Sequence, residues 1–366
     1  MQATAAVLRS GEAPYELVEI ELDDPGPGEV LVELVATGYC HTDTGMRASF
    51  RNTPFPAVLG HEGAGRIAAV GAGVDMVIGQ PVVLSYRSCR SCRNCNLGAS
   101  TYCDNMMPLN FALSREDGTT AFRLDGQPVG SHFFGQSSFA THTIADARSV
   151  VPVGDDDPLD IIGPLGCGVQ TGAGAVLNNL RPWVGSSFAV LGSGSVGLSA
   201  LLAAVYIGCD TVIAVDRHPG RLAFARELGA THTIDTSADG MELGEALLAA
   251  TGGRGVDRCF DTTGLGEVVG SAMHGLAVNG TLGTVAAGEA ALTEVSLRQL
   301  LPGRTLTGIL EGDSMPQVFI PELLSLHRAG KLPFDQLISQ FPFAQINEAE
   351  QASNDGSVIK PVLLMP

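Results

Sequence analysis

Along the first third of the chain, apolar residues come in short alternating runs and not at helical spacing. The stretches 30–36 and 66–70 are rich in β-branched and aliphatic residues and are bounded by Gly and Pro, a pattern that predicts small strands joined by turns. From about Gly172 the pattern changes. An apolar strand at 188–191 runs into glycines, and a helix with Leu198, Leu201, Leu202 and Val205 at helical spacing follows. A second strand is predicted at 212–215, then a helix over about 219–228 that Gly229 can cap. Further strands near Ile234, at 256–260 and at 281–286 alternate with apolar helical stretches such as 241–250. That alternation predicts a parallel, doubly wound sheet over about 169–310. The tail from Glu311 returns to mixed helix and strand and is too short to fold by itself, so it is expected to rejoin the first part. The fold class is therefore α/β, with a β-rich domain from 1–168 and 311–366 and a doubly wound domain from 169–310. No internal repeat or low-complexity tract interrupts it.

Composition narrows the function. At 366 residues the chain exceeds what one core usually serves, and 45% hydrophobic residues, 16% charged residues and 46 Gly suit a turn-rich globular protein. A formal charge of −18 repels phosphate backbones and anionic lipids, so nucleic acid and membranes are poor partners, and any anionic ligand needs local donors. The residues from Met1 to Gly11 contain no basic segment followed by a long apolar run, and no stretch approaches a spanning helix. This reads as a cytoplasmic protein with reduced thiols.

Three sets of residues carry candidate chemistry. Gly192-x-Gly194-x-x-Gly197 lies between the first strand and helix of the α/β region, where glycines allow a tight turn and close approach of a pyrophosphate. Asp216 ends the next strand, where a carboxylate accepts from ribose hydroxyls and repels a 2′-phosphate; this favours NAD, although Arg217 next to it would suit NADP. The competing reading is a plain glycine turn with a capping Asp. Cys89-x2-Cys92-x2-Cys95-x7-Cys103 offers four thiolates, enough to close a tetrahedral zinc site with no place left for substrate. A nucleic-acid-binding zinc ribbon, disfavoured by the charge despite Arg87, Arg90 and Arg93, and an iron–sulfur site are the alternatives. Finally, Cys40-His41-Thr42-Asp43, Gly60-His61-Glu62 and Cys167 bring together thiols, imidazoles, a hydroxyl and carboxylates. Their spacing alone does not select ligands, since a lone Cys is usually a small hydrophobe and a lone His a hydrogen-bonded structural residue.

In the order and separation of Gly60-His61-Glu62-Gly63-Ala64-Gly65, the four-cysteine lobe, Gly192-Ser193-Gly194-Ser195-Val196-Gly197 and Ala214-Val215-Asp216, the chain resembles the medium-chain zinc alcohol dehydrogenases. The likeness runs from Gly28-Glu29-Val30 to Ile359-Lys360-Pro361. It implies a GroES-like catalytic domain beside a Rossmann domain, with the active site in the cleft between them. It implies two zinc ions per chain: one held by Cys40, His61 and Cys167 with a fourth position open, and a structural one in the four-cysteine lobe. Asp43 would orient His61, Glu62 would lie behind the metal, and Thr42 would be the first proton acceptor. His41, Arg221 and Lys360 match positions that contact the cofactor pyrophosphate or adenosine side. Where some members carry a distal His that relays the proton, this chain has Gly45.

Within the family, 132–140, 163–167 and 311–314 are similar to aryl-alcohol (benzyl-alcohol) dehydrogenases, and Phe133 and Phe134 match pocket-lining positions. The implied reaction is hydride transfer between a primary aromatic or allylic alcohol and NAD, giving the aldehyde, in a homodimer or homotetramer. A short aliphatic or glutathione-adduct dehydrogenase is the alternative. A non-catalytic NAD-binding zinc protein is a different class, against which stands the filling of every ligand position with a competent residue.

Overall fold

The central strand of the first unit, Glu29–Gly38, shows why this half is built from sheet: Val30, Val32 and Leu34 point into one core while Glu33 and Val35 are exposed, the two-residue period of a half-buried strand. In this computed structural model, which describes residues 1–49, 56–238, 240–285 and 295–366, that strand pairs antiparallel with Gly63–Val70, with His142–Asp146 and with Lys360–Leu364. Ile67, Val82, Leu84, Ala145 and Val150 close the same core. A second sheet joins Gln2–Leu8 to Glu16–Leu22, Ala57–Val58, Phe122–Leu124 and Gln127–Val129. Val362 lies opposite Gly38, and this register brings Lys360 to the end of the central strand.

The second unit holds six parallel strands in the order His232–Asp235, Thr211–Asp216, Ser187–Leu191, Val256–Asp261, Leu276–Thr284 and Thr305–Gly308. This is the doubly wound order 3-2-1-4-5-6, and the central strands Ser187–Leu191 and Thr211–Asp216 are buried on both faces as a covered parallel sheet requires. The helix Pro219–Glu227 ends at Leu228, and Gly229 follows at φ 111°, a left-handed angle that favours glycine. The helix expected over 241–250 begins at Leu243, because Glu242 is extended and serves as its N-cap. The last residue of the strand expected at 281–286, Ala286, lies outside the described residues.

By contacts the units are Met1–Cys167 with Met315–Ser325 and Asp335–Pro366, and Gly168–Ser314 with Leu326–Phe334. The segment 311–314 thus belongs with the parallel sheet and not with the returning tail. The reason is local: the Glu311 carboxylate accepts from Gln170 Nε2 at 3.2 Å, and Asn179 donates to Asp313 at 2.6 Å. Among the described residues no helix is long and apolar enough to cross a membrane.

Candidate active site and metal centres

Cys40 follows the central strand, His61 and Glu62 precede its neighbour Gly63–Val70, and Cys167 ends the turn after Gly163–Gly166. Folding brings one ligand atom of each of Cys40, His61, Glu62 and Cys167 to within 4.8 Å of the others. Asp43 organises the group. Its Oδ1 lies 3.1 Å from His61 Nδ1 and accepts from the Gly60 N–H at 3.1 Å, while Oδ2 accepts from the Cys40 N–H at 3.0 Å. With both carboxylate oxygens engaged and no exposure, Asp43 fixes the tautomer that leaves the Nε2 lone pair of His61 bare. Nε2 is buried with no hydrogen-bond partner, a costly arrangement that a metal ion relieves. A hydrogen bond from Cys167, with the charge of Lys360, holds the Cys40 thiol well below its ordinary range despite burial. Two thiols and a bare imidazole form a donor set suited to zinc.

Lys360 departs from expectation. Matched by the resemblance to a position at the cofactor pyrophosphate or adenosine side, its ammonium is buried inside the first unit and donates to Glu62 Oε1 at 2.8 Å, to Glu62 Oε2 at 2.9 Å and to the Tyr39 carbonyl at 3.1 Å. Burial opposes the charge, but Glu62, Cys40 and Cys167 outweigh it and hold the Lys360 pKa above the ordinary value. Space for Glu62 comes from Gly38, where a Cβ would stand 1.9 Å from Glu62 Oε2.

Thr42 is half-buried with its hydroxyl 3.7 Å from Cys40 Sγ, while His41 is exposed. Phe134 stacks on the His61 ring at 4.6 Å between centroids, Phe133 meets it edge-on at 5.4 Å, and Phe111 packs against Phe134 at 5.1 Å. Sequence reading missed Phe111, which lies in an unremarkable short helix. Phe134 (φ 53°) and His132 (φ 66°) are left-handed, a costly conformation for side chains of this size. It is held by His132, whose ring meets Ser131 Oγ at 2.9 Å and Glu29 at 3.0 Å.

The four cysteines 89, 92, 95 and 103 also converge to within 4.8 Å. The Sγ separations of Cys89–Cys95 (3.9 Å) and Cys92–Cys103 (4.0 Å) are far beyond a disulfide. They match the edge of a tetrahedron with metal–sulfur bonds of about 2.3 Å, roughly 3.8 Å. Backbone N–H groups of Ser91 and Cys92 point at Cys89 Sγ, and these hydrogen bonds hold its thiol down to about 5. This set offers four thiols to a metal, whereas at the other the fourth donor, Glu62, is already engaged by Lys360. Metal analysis is therefore expected to give two zinc ions per chain, with mild chelation abolishing activity before the protein unfolds. A fully active preparation with one zinc per chain would contradict the expectation of two occupied centres.

In the second unit Gly192 (φ 91°) turns the chain after Ser187–Leu191, and Gly197 leaves room for that turn, since a Cβ there would stand 1.9 Å from the Gly192 carbonyl. The helix Ser195–Ile207 starts after Gly194 with no side-chain cap, so its first N–H groups are available to an anion. Asp216 accepts from the Ser193 N–H at 2.7 Å and the His218 N–H at 2.9 Å, and Arg221 Nη1 lies 4.0 Å from it. Ser195 Oγ, at the start of that helix, and Arg221 Nε, in the helix Pro219–Glu227, are buried without hydrogen-bond partners. Free donors beside an uncapped helix and a carboxylate suit the phosphates and ribose of a dinucleotide.

The chain belongs to the zinc-dependent medium-chain alcohol dehydrogenases. The alcohol dehydrogenase GroES-like domain family matches residues 26–155 and the zinc-binding dehydrogenase family residues 195–326. The chain is 47% identical over 368 residues to the geraniol dehydrogenase of Castellaniella defragrans, covering 100% of this chain and 98% of that one. Among solved structures it is similar to benzyl alcohol dehydrogenase from Acinetobacter calcoaceticus, with 40% identity, a TM-score of 0.94 and 100% of both chains covered. An alcohol dehydrogenase zinc-binding domain protein from Burkholderia ambifaria gives 44% identity and a TM-score of 0.95, covering 100% of this chain and 99% of that one. The protein is an NAD- and zinc-dependent alcohol dehydrogenase.

Proposed function

We propose that this dehydrogenase oxidises primary aromatic or allylic alcohols to aldehydes, and that the aromatic shell of Phe111, Phe133 and Phe134 around His61 carries that preference. Three rings within 5.9 Å of one another at the candidate metal ligand favour a flat, apolar substrate through stacked and edge-to-face contacts. The names of the geraniol and benzyl alcohol dehydrogenase relatives support the same class. Cys40, His61 and Cys167 would hold the catalytic zinc and the four-cysteine lobe the structural one. When bound, zinc polarises the alcohol oxygen and NAD accepts the hydride. The protein's own share is to hold His61 through Asp43, to receive the hydroxyl proton at Thr42 Oγ1 and to keep the site dry. A cytoplasmic homodimer or homotetramer belongs to the same reading and is open to test by light scattering.

Benzyl alcohol, cinnamyl alcohol and geraniol are expected to give kcat/KM about a hundredfold or more above ethanol, because apolar area removed from water contributes roughly 25 cal/mol per Å2. NADH absorbance across this panel tests it; ethanol as the best substrate would overturn the proposal. NAD is expected to be preferred over NADP because of Asp216. Asp216→Asn should narrow the ratio of their kcat/KM values by about tenfold, equivalent to about 1.4 kcal/mol, by removing a charge that repels a 2′-phosphate. Equal efficiency of the wild type with both cofactors would refute that role.

A further inference from the structure

Gln136 lies within the stretch 132–140 but has been given no role of its own; its side chain is fully buried, and its amide bonds run to the backbone of the His61 loop and of Ser85. Its Nε2 donates to the carbonyl of His61 at 2.9 Å and to the carbonyl of Ser85 at 3.4 Å, and its Oε1 accepts from the Gly63 N–H at 3.2 Å. The partners force this orientation of the amide, since two are acceptors and one is a donor. Ser85 continues the chain: its hydroxyl donates to the carbonyl of Gly166 at 2.6 Å, one residue before Cys167. A single amide and a single hydroxyl thereby tie the backbone beside His61 to the backbone beside Cys167, two residues far apart in sequence.

We propose that Gln136 and Ser85 are positioning residues that set the separation of His61 and Cys167 and so determine how tightly the open site keeps its metal. Three physical points favour this over a purely structural role. The Gln136 amide touches the backbone of the His61 loop on both sides of Glu62, so its loss frees the segment that aims the imidazole. A buried amide with three good partners is rigid, and a metal site tolerates only small errors in ligand placement. The four-cysteine lobe shares none of these contacts, so a general loosening would act on both metals and this one on the open site alone.

The inference rests on the reading of His61 and Cys167 as metal ligands, and the experiment separates the two. Zinc release from the holoenzyme into a colorimetric chelator is followed as two phases, together with the absorption spectrum of enzyme carrying cobalt(II) at the open site. Gln136→Met is expected to speed the open-site phase about 10- to 100-fold, the usual effect of losing a partner behind a metal ligand, and to shift the cobalt bands. Ser85→Ala should act in the same direction, and the double variant should do less than the product of the two because both belong to one chain of bonds. The slower four-cysteine phase should not change. Gln136→Glu, of equal size but facing two carbonyls without a donor, gives a second variant should Gln136→Met fail to fold. Wild-type release rates and cobalt spectra in folded Gln136 and Ser85 variants, or strictly multiplicative effects, would overturn the proposal. His61→Ala should leave one zinc per chain; if it retains two, the ligand reading itself fails.

Discussion

Replacing Thr42 by Val is expected to slow hydride transfer by a factor of about 100 to 10,000, whereas Thr42→Ser should keep most of the rate. The Thr42 hydroxyl lies 3.7 Å from Cys40 Sγ, within reach of a substrate oxygen placed at the open side of the cluster. A hydroxyl accepts and donates at once, so on the proposed reading Thr42 takes the alcohol's proton while passing its own onward. Val has nearly the same shape and cannot do this. On the proposed reading the proton passes from Thr42 to a ribose hydroxyl of the cofactor, and because Gly45 has no side chain to relay it further, water or His41 completes the path. The rate is best measured in a single turnover by NADH absorbance, where product release does not mask the step. Near-normal hydride transfer in Thr42→Val would remove Thr42 from the reaction.

The second large effect is on stability and centres on Lys360. Removing one partner of a buried ion pair leaves the other charged and poorly solvated, at a cost of about 3–5 kcal/mol. Lys360→Met strips Glu62 of two hydrogen bonds and the Tyr39 carbonyl of one. Its urea midpoint, read by pulse proteolysis at fixed excess zinc, should fall accordingly; Trp183, in the other unit, is a poor reporter of this event. Adding Glu62→Gln should recover much of the loss, because a neutral amide costs far less to bury than a charge. A Lys360→Met protein within about 1 kcal/mol of wild type would show that the pair is dispensable, since surface-like substitutions rarely exceed that.

How much of this was legible in the sequence depends on how far apart the cooperating residues lie. The four-cysteine centre could be read directly because consecutive turns close it: the Cys92 N–H reaches Cys89 Sγ at 3.2 Å and the Cys95 N–H reaches Cys92 Sγ at 3.5 Å. The glycine loop and Asp216 could be read for the same reason. They form one strand, turn, helix and strand, and the loop's backbone bonds to the carboxylate only 23 residues on. Cys40, His61 and Cys167 were different. Nothing in their spacing distinguishes ligands from ordinary buried residues, and only the likeness to a family singled them out.

The hydrophobic alternation, the strand–glycine–helix order and the clustered thiols were determined by sequence alone, since each is governed by backbone angles and hydrogen bonds within a few residues. The partners of Lys360, the shell of Phe111, Phe133 and Phe134, the junction at Gln136 and the seat of 311–314 were decided only by the tertiary structure. Lys360 illustrates the cause. Its strand pairs with Glu29–Gly38 in a register that sets Val362 against Gly38, and slipping that register by one residue would turn the ammonium to the opposite face of the sheet. Register is chosen by the burial of the whole strand, with Val362 and Leu363 fully covered, and no local pattern around Lys360 encodes which carboxylate waits on the other side.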